Sequence, residues 1–459
     1  MTSWPRRLLP SSPPDAIIAV VGATGTGKSQ LAVEIAKRFN GEVINGDAMQ
    51  LYAGLPIITN KITPEEQQGI PHHLLGCIGL NEQTWVVGTF VRRALAIIED
   101  IRSRGKLPIL VGGTHYYTQS LLFRDRLADQ SDNSSPSTFV PNTSEKWPIL
   151  KEPTEVLLTE LKRVDPIMAD RWHPNDRRKI QRSLEIWLQT GKRASDIYAE
   201  QRSERDSGSQ EPDMRFPALL FWVHAEKDAL HERLDRRVDT MLDSGLLSEV
   251  QTLSAFVTSE AGAGNIVNER QGAWVSIGYK EFLPYVKALE ATKLDSASDL
   301  EKLRLEAVEK TKISTRQYSK SQIRWIRIKL ANALRDASAD DRLFLLDSSN
   351  ASQFDEHVVE PALSLTTKFL DGGAMPKPTS LSSLAATLLP PKQDYDLSAE
   401  PERWSKHHCD ICNVTCVVEE QWQKHIKSKA HRKLASKQQR EAQATLTPTD
   451  IPEDHEARA

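Results

Sequence analysis

From Ile17 to about Phe123, short apolar runs alternate with stretches whose apolar residues recur every three or four positions. The runs "IIAVV", "EVIN" (Glu42 to Asn45) and "LPILVGG" (Leu107 to Gly113) read as buried strands. The stretches between them read as helices, one with Leu31, Ala32, Ile35, Ala36 and Phe39 and one from about Thr89 to Gly105 with Val91, Leu95, Ile98 and Ile101. Alternation of this kind predicts an α/β fold with a parallel sheet covered on both faces.

Further along, the period becomes helical throughout. "HPNDRRKIQRSLEIWLQTG" offers Asn175 or Asp176 as an N-cap, Ile180, Leu184, Trp187 and Leu188 on one face, and Gly191 as a stop. "PALLFWVHA" and "LFLLD" (Leu343 to Asp347) return as strands. The predicted organisation is a disordered leader (1–15), the first part of a phosphate-loop core (16–123), an inserted helical subdomain (124–216), and the second part of the core with a basic helix (217–347). A linker (348–400), a zinc finger (401–440) and a disordered tail (441–459) complete it. Within the insertion, 129–154 is rich in Ser, Asp, Asn and Pro and reads as a surface loop.

Composition narrows the picture only a little. At 459 residues with a formal net charge of −3, the chain has no global field for nucleic acid, so any basic surface is local. No apolar run is long enough to span a bilayer, and a soluble protein with no membrane role is expected. The 4 cysteines form no disulfide framework and suit a reducing compartment. The leader "MTSWPRRLLPSSPPDA" has two arginines and no acid before Asp15, a weak presequence pattern, so cytoplasmic, mitochondrial and nuclear locations all stay open.

Four stretches carry candidate chemistry. "GATGTGKS" (Gly22 to Ser29) has the spacing G-x-x-x-x-G-K-S between a strand and a helix. Its amides and the helix N-terminus cradle an anion, Lys28 adds a charge, and Ser29 can ligate magnesium. Asp47, behind the "EVIN" strand, would point into the same crevice, where a carboxylate can bind metal or take a proton. "VGGTHYY" (Val111 to Tyr117) ends a strand with two glycines and the Thr114 hydroxyl. Between Lys310 and Leu330 there is no acid, while Lys312, Arg316, Lys320 and Arg324 fall four apart, followed by Arg327 and Lys329. Such a row costs a bare helix a few tenths of a kcal/mol per pair, about what opposite charges gain, so an anionic partner is expected. Arg177, Arg178, Lys179 and Arg182 make a second cluster, and two clusters favour a nucleic-acid backbone over a solvated face. Near the end, Cys409-x-x-Cys412, His425 and His431 have the spacing of a structural Cys-Cys-His-His zinc site, with Cys416 spare.

Read together, "GDAMQLYAGLPIITNK", "GIPHHLLG", "VGGTHYY", "HPNDRRKIQRSLEIWLQTG", "SIGYKEF" and "TRQYSKSQIRWIR" resemble blocks of the tRNA dimethylallyltransferase (tRNA isopentenyltransferase) family, in family order and of the eukaryotic type with a C-terminal finger. The resemblance implies transfer of a dimethylallyl group from its diphosphate to the exocyclic amine of the adenosine 3′ of the anticodon. It implies Asp47 as general base, with Thr24, Lys28 and Arg237 as further catalytic residues. Gly22, Gly25, Thr26, Gly27, Lys28, Ser29, Arg233 and Arg237 would hold the diphosphate with magnesium. The tRNA anticodon stem-loop would be met by Asp47, Ala48, Met49, Gln50, Thr114, Arg178, Lys179, Ile180, Gln181, Arg182, Gly278, Tyr279, Lys280, Lys320, Arg324 and Arg327. The family often has Ser where this chain has Ala48. A monomer is expected. The competing readings are an adenylate isopentenyltransferase acting on free nucleotides, a kinase or NTPase, and a non-catalytic RNA-binding protein.

Overall fold

Along the central strands, successive side chains enter two different cores. The computed structural model describes residues 15–124, 147–206, 214–290, 297–390 and 404–445. Strands β1 (Ile17–Gly22), β2 (Gly41–Asn45), β3 (His72–His73), β4 (Leu107–Val111), β5 (Ala218–His224) and β6 (Leu343–Asp347) form one sheet in the order β3-β2-β4-β1-β5-β6. Every neighbouring pair is parallel. Ile17, Ala19 and Val21 join Leu220 and Trp222 in one core, while Ile18 and Val20 join Leu219, Phe221 and Val223 in the other. The period of two along a strand makes this division, and it explains why these strands read as continuous apolar runs.

The chain divides into two units, Met1–Leu127 with Gln210–Lys392, and Ala128–Ser209 with Gln393–Ala459. The first holds the sheet and the helices α1 (Lys28–Phe39), α2 (Val87–Ser103) and α3 (His115–Leu122). In α2 the periodic positions Phe90, Val91, Ala94, Ile98 and Ile101 are buried, and Gly105 follows in a left-handed conformation (φ 68°). One acid, Glu42, lies buried inside β2. It accepts hydrogen bonds from Arg104 and Lys106 and pairs with His73, and the Arg104 guanidinium above all holds its carboxyl well below the usual range.

The second unit contains α4 (Thr154–Val164), α5 (Pro166–Arg171) and α6 (Arg177–Thr190) around Leu157, Leu161, Met168, Ile180 and Leu184. Asp176, of the two candidate caps, accepts from the Lys179 amide, and Gly191 ends α6 in a left-handed conformation (φ 69°). Most of the serine-rich loop, 129–146, lies outside the described residues, but its end does not behave as a free surface loop: Leu150 is buried against these helices.

Back in the first unit, α7 (Lys227–Asp243), α8 (Leu246–Gly262), α9 (Tyr279–Glu290) and α10 (Ala297–Trp325) follow β5. The expected linker over 348–400 is corrected by the structure. A π turn at Asp355–Val359 runs into α11 (Glu360–Leu370), and Phe354, Val358, Ala362, Leu365 and Phe369 fill the second core. A further short helix, Ser383–Leu388, buries Ala385. These apolar positions recur at helical spacing, but the Ser, Pro and Asp among and after them disguise the period. The leader to residue 14, residues 391–403 and the tail from 446 lie outside the described residues. No helix among the described residues is long and apolar enough to cross a membrane.

Because Phe369 is only 5% exposed in that core, Phe369→Ala is expected to cost about 3 kcal/mol or more in urea unfolding of the intact chain. A true linker residue would change stability by no more than about 0.5 kcal/mol.

Candidate active site and zinc centre

The loop after β1 closes on itself before any ligand is considered. Gly25 and Gly27 have φ of 82° and 89°, a conformation that favours glycine, and Gly27 begins α1. A Cβ on Gly27 would lie 2.5 Å from the Phe354 ring, so the segment expected as linker packs directly on this loop. The Thr26 hydroxyl donates to the Ala23 carbonyl (2.9 Å), and Lys28 Nζ donates to the same oxygen (2.6 Å).

Asp47 reaches the loop because β2 and β1 both flank β4, and their carboxyl ends open on one crevice. The turn carrying it is pinned on several sides. The Asp47 amide donates to Asn45 Oδ1 (2.9 Å), Asn45 Nδ2 donates to the Leu74 carbonyl (2.8 Å), and the Gly46 amide donates to the Val111 carbonyl (2.7 Å). Asp47 Oδ1 accepts from the Met49 amide (3.1 Å), and its carboxylate also accepts from the Gly113 amide. The Ala48 amide donates to Thr114 Oγ1 (3.0 Å), so alanine here still contributes a backbone hydrogen bond.

Charge is concentrated in this recess. Burial raises the Asp47 carboxyl above its ordinary range, opposed by the Met49 amide, Lys28, the Gly113 amide and Arg237. Burial lowers Lys28 to about 8, with Asp47 opposing and Arg237 reinforcing the shift. Burial also lowers Arg237 to about 10, against the attraction of Asp47. The two cations therefore sit where an added anion would relieve their desolvation and mutual repulsion. Arg233, one turn before Arg237 on α7, donates to the carbonyls of Ser348 and Ser349 (2.6 Å each) and lines a cavity of about 170 Å³ beside Gly25, Thr26 and Gly27. Sequence reasoning missed Gln322, which bonds to the glycine loop and to the turn after β4: its Oε1 accepts from the Thr24 amide (2.8 Å) and its Nε2 donates to the Gly113 carbonyl (2.9 Å). The signal available was a polar stripe on α10, where Thr311, Ser319 and Gln322 are buried.

In the second unit, strands β7 (Trp404–Cys409) and β8 (Val414–Val418) form an antiparallel hairpin followed by α12 (Glu419–Ile426) and α13 (Lys429–Thr445). The ligand atoms of Cys409, Cys412, His425 and His431 lie within 4.8 Å of one another. Cys409 Sγ and Cys412 Sγ are 3.5 and 3.4 Å from His431 Nδ1. Tetrahedral zinc with ordinary bond lengths requires S···N edges of about 3.5 Å. His425 Nε2 is buried without a hydrogen-bond partner, as a nitrogen reserved for metal would be. The set therefore fits zinc. Between the two histidines the helix breaks at Lys427 and Ser428, where Ser428 Oγ accepts from the His431 amide. Nor does the finger stand alone, since Lys406 Nζ donates to the Ala169 carbonyl of α5 (2.9 Å).

A family model described as IPP transferase matches residues 50–329. Another, described as Isopentenyl transferase, matches residues 15–82. The chain is 36% identical over 444 residues to a tRNA dimethylallyltransferase of Schizosaccharomyces pombe, covering 94% of this chain and 97% of the relative. It is 34% identical to the Homo sapiens tRNA dimethylallyltransferase, covering 96% of this chain and 90% of that one. The chain belongs to the tRNA dimethylallyltransferase family. A solved structure described as eukaryotic dimethylallyltransferase acting on tRNA superposes with a TM-score of 0.72 at 32% identity, covering 94% of this chain and 99% of that one.

Within a tRNA dimethylallyltransferase framework, the candidate tRNA residues fare unevenly. Ile180 lies fully buried in the second unit, and Tyr279 is buried with its hydroxyl donating to Glu269 (2.7 Å), so neither side chain presents a contact surface. Gly278 is also buried, whereas Lys280 is exposed. On α6, Arg178 and Lys179 are exposed, with Lys179 paired to Asp176 (2.9 Å); Gln181 and Arg182 share Glu185. Arg177 instead donates to the backbone carbonyls of Leu150 and Glu152, a structural use. The row on α10 is half neutralised from within. Lys312 pairs with Asp239 (2.8 Å) and Arg316 with Asp235 (2.6 Å), both on α7. Partly exposed pairs of this kind contribute on the order of 0.2–1 kcal/mol, enough to offset the repulsion between neighbours in the row. Lys320 and Arg324 are exposed, with no acid paired to them among the described residues. Arg327 falls in a π turn, Ile326–Leu330, that takes it out of the row.

Metal analysis of the purified chain is expected to give one zinc per molecule. Cys412→Ser should lose it, whereas Cys416→Ser should retain it, because Cys416 lies outside the ligand set.

Proposed function

We propose that the chain transfers a dimethylallyl group from dimethylallyl diphosphate to the exocyclic amine of the adenosine 3′ of the tRNA anticodon. The observation that carries this reading is the recess shared by Asp47, Lys28 and Arg237 at the mouth of the glycine loop. A loop holding ATP needs no carboxylate with a raised pKa between two cations; proton removal next to a departing anion does.

The adenine amine is a weak nucleophile, its lone pair delocalised into the ring. As it attacks the allylic carbon, the carbon–oxygen bond to diphosphate breaks, and the diphosphate leaves with the bonding electrons. Asp47 accepts the amine proton. The loop amides, Lys28 and Arg237 stabilise the charge that grows on the leaving group. Arg233, committed to two carbonyls, shapes the wall of the loop cavity. Ser29, at the first turn of α1, is the residue that would hold magnesium. Bound there, the ion would supply further charge neutralisation on the diphosphate. The target base must leave its stack to reach Asp47. Lys320 and Arg324, together with Arg178 and Lys179, are proposed to contact the tRNA backbone.

An adenylate isopentenyltransferase would share the glycine loop and Asp47, and the Isopentenyl transferase match covers only that part. Labelled dimethylallyl diphosphate offered with undermodified tRNA, AMP or ATP separates the readings. Label is expected on tRNA alone; label on AMP with none on tRNA would reverse the assignment. Asp47→Asn is expected to lower transfer by roughly 10²–10⁴-fold while tRNA binding stays within about twofold.

The pH profile of kcat/KM for dimethylallyl diphosphate should be bell-shaped. Asp47 must be ionised, so the rate climbs as pH passes through a value above the ordinary carboxylate range. Lys28 must be charged, so it declines as pH passes about 8. A flat profile across both limbs would contradict these roles.

A further inference from the structure

Among the described residues, the side chains of the glycine loop make no hydrogen bond to the turn after β4 that holds Asp47. Loop and turn are joined by one amide from another element. Gln322, on α10, is 3% exposed; its Oε1 accepts from the Thr24 amide at 2.8 Å, and its Nε2 donates to the Gly113 carbonyl at 2.9 Å. Gly113 in turn donates its own amide to the Asp47 carboxylate. A Cβ on Gly113 would lie 2.4 Å from Gln322 Nε2, so a side chain there would have to displace the amide. One turn back, the Tyr318 hydroxyl hydrogen-bonds with Thr114 and Gln322, and Thr114 Oγ1 accepts from the Ala48 amide.

We propose that Gln322 is a positioning residue that locks the phosphate loop to the turn after β4, whose Gly113 amide holds the Asp47 carboxylate, so that leaving group and base are aligned before substrate arrives. An amide is suited to this task because it offers an acceptor and a donor at once, one for each loop, without adding charge to a site crowded with ions. Neighbours on the same helix give the lock a second consequence. Lys320 and Arg324 are exposed two positions to either side of the buried Gln322. A helix held by tRNA at those cations is thereby held at the register of the two catalytic loops as well. The role in transfer rests on the proposed reaction; the lock itself does not.

The test uses the full chain with Gln322→Met, which keeps the volume and removes both hydrogen bonds. Gln322→Glu, which keeps the acceptor for the Thr24 amide and removes the donor to the Gly113 carbonyl, serves as the companion should the first variant lose more than a few degrees in Tm. Hydrogen exchange is expected to quicken in peptides covering 22–29 and 111–118 together, with α1 and β4 unchanged. Single-turnover transfer to tRNA should fall roughly 10- to 100-fold, with tRNA affinity within about twofold. The groups facing Asp47 are Lys28, Arg237, Tyr318 and the amides of Met49 and Gly113. Releasing the Gly113 amide should move the acid limb of the kcat/KM profile to higher pH, which a uniform loss of folded protein would not do. Unchanged exchange in either loop overturns the lock whatever the activity. Loosened loops with wild-type transfer overturn its role in positioning. A wild-type chain that transfers nothing to tRNA would refute the proposed reaction, while the exchange data still decide the lock.

Discussion

A carboxylate and two cations are held together in a half-buried recess, and the rest of the first unit serves to keep them there. Burial works against all three charges, raising Asp47 and lowering Lys28 and Arg237. Their attraction recovers part of that cost, but the two cations still repel one another across a single acid. An anionic guest completes the balance. This is a site made for an anion that arrives, gains charge and leaves, and it is built from backbone as much as from side chains: the amides of Met49 and Gly113 on Asp47, and the glycine turns around Lys28.

Sheet order makes the meeting possible. β4 lies between β1 and β2, so the turns after all three strands emerge side by side, and α7 and α10 bring Arg237 and Gln322 from distant sequence. Much of this was legible because it is local. The strand runs, the glycine loop, Asp47 behind its strand, a cap at Asn175 or Asp176 and the four zinc ligands each follow from a period, a cap or a spacing within a few dozen residues. What could not be read depends on partners 73 to 298 positions away. Nothing near Lys312 or Arg316 announces Asp239 and Asp235, and nothing near Gln322 announces Thr24 or Gly113.

The misreadings have physical causes of the same kind. Residues 348–388 carry helical periodicity from Phe354 to Phe369, yet their polar composition suggested a linker; a core face a few residues wide is enough to fold them. Ile180 and Tyr279 sit inside segments expected at a tRNA surface, because a motif block fixes a segment and not the direction of each side chain. Pairing within the protein also sharpened the basic row on α10. It separates Lys312 and Arg316, which stabilise α10 against α7, from Lys320 and Arg324, which face outward.

At the centre of the account is the bond that breaks at the glycine loop, carbon to oxygen and not phosphorus to oxygen. Dimethylallyl diphosphate carrying heavy oxygen at the position bridging carbon and phosphorus reports it directly, when the diphosphate released during tRNA modification is analysed by mass spectrometry. The heavy oxygen is expected to leave wholly with diphosphate. Heavy oxygen retained on the organic fragment would contradict carbon–oxygen cleavage.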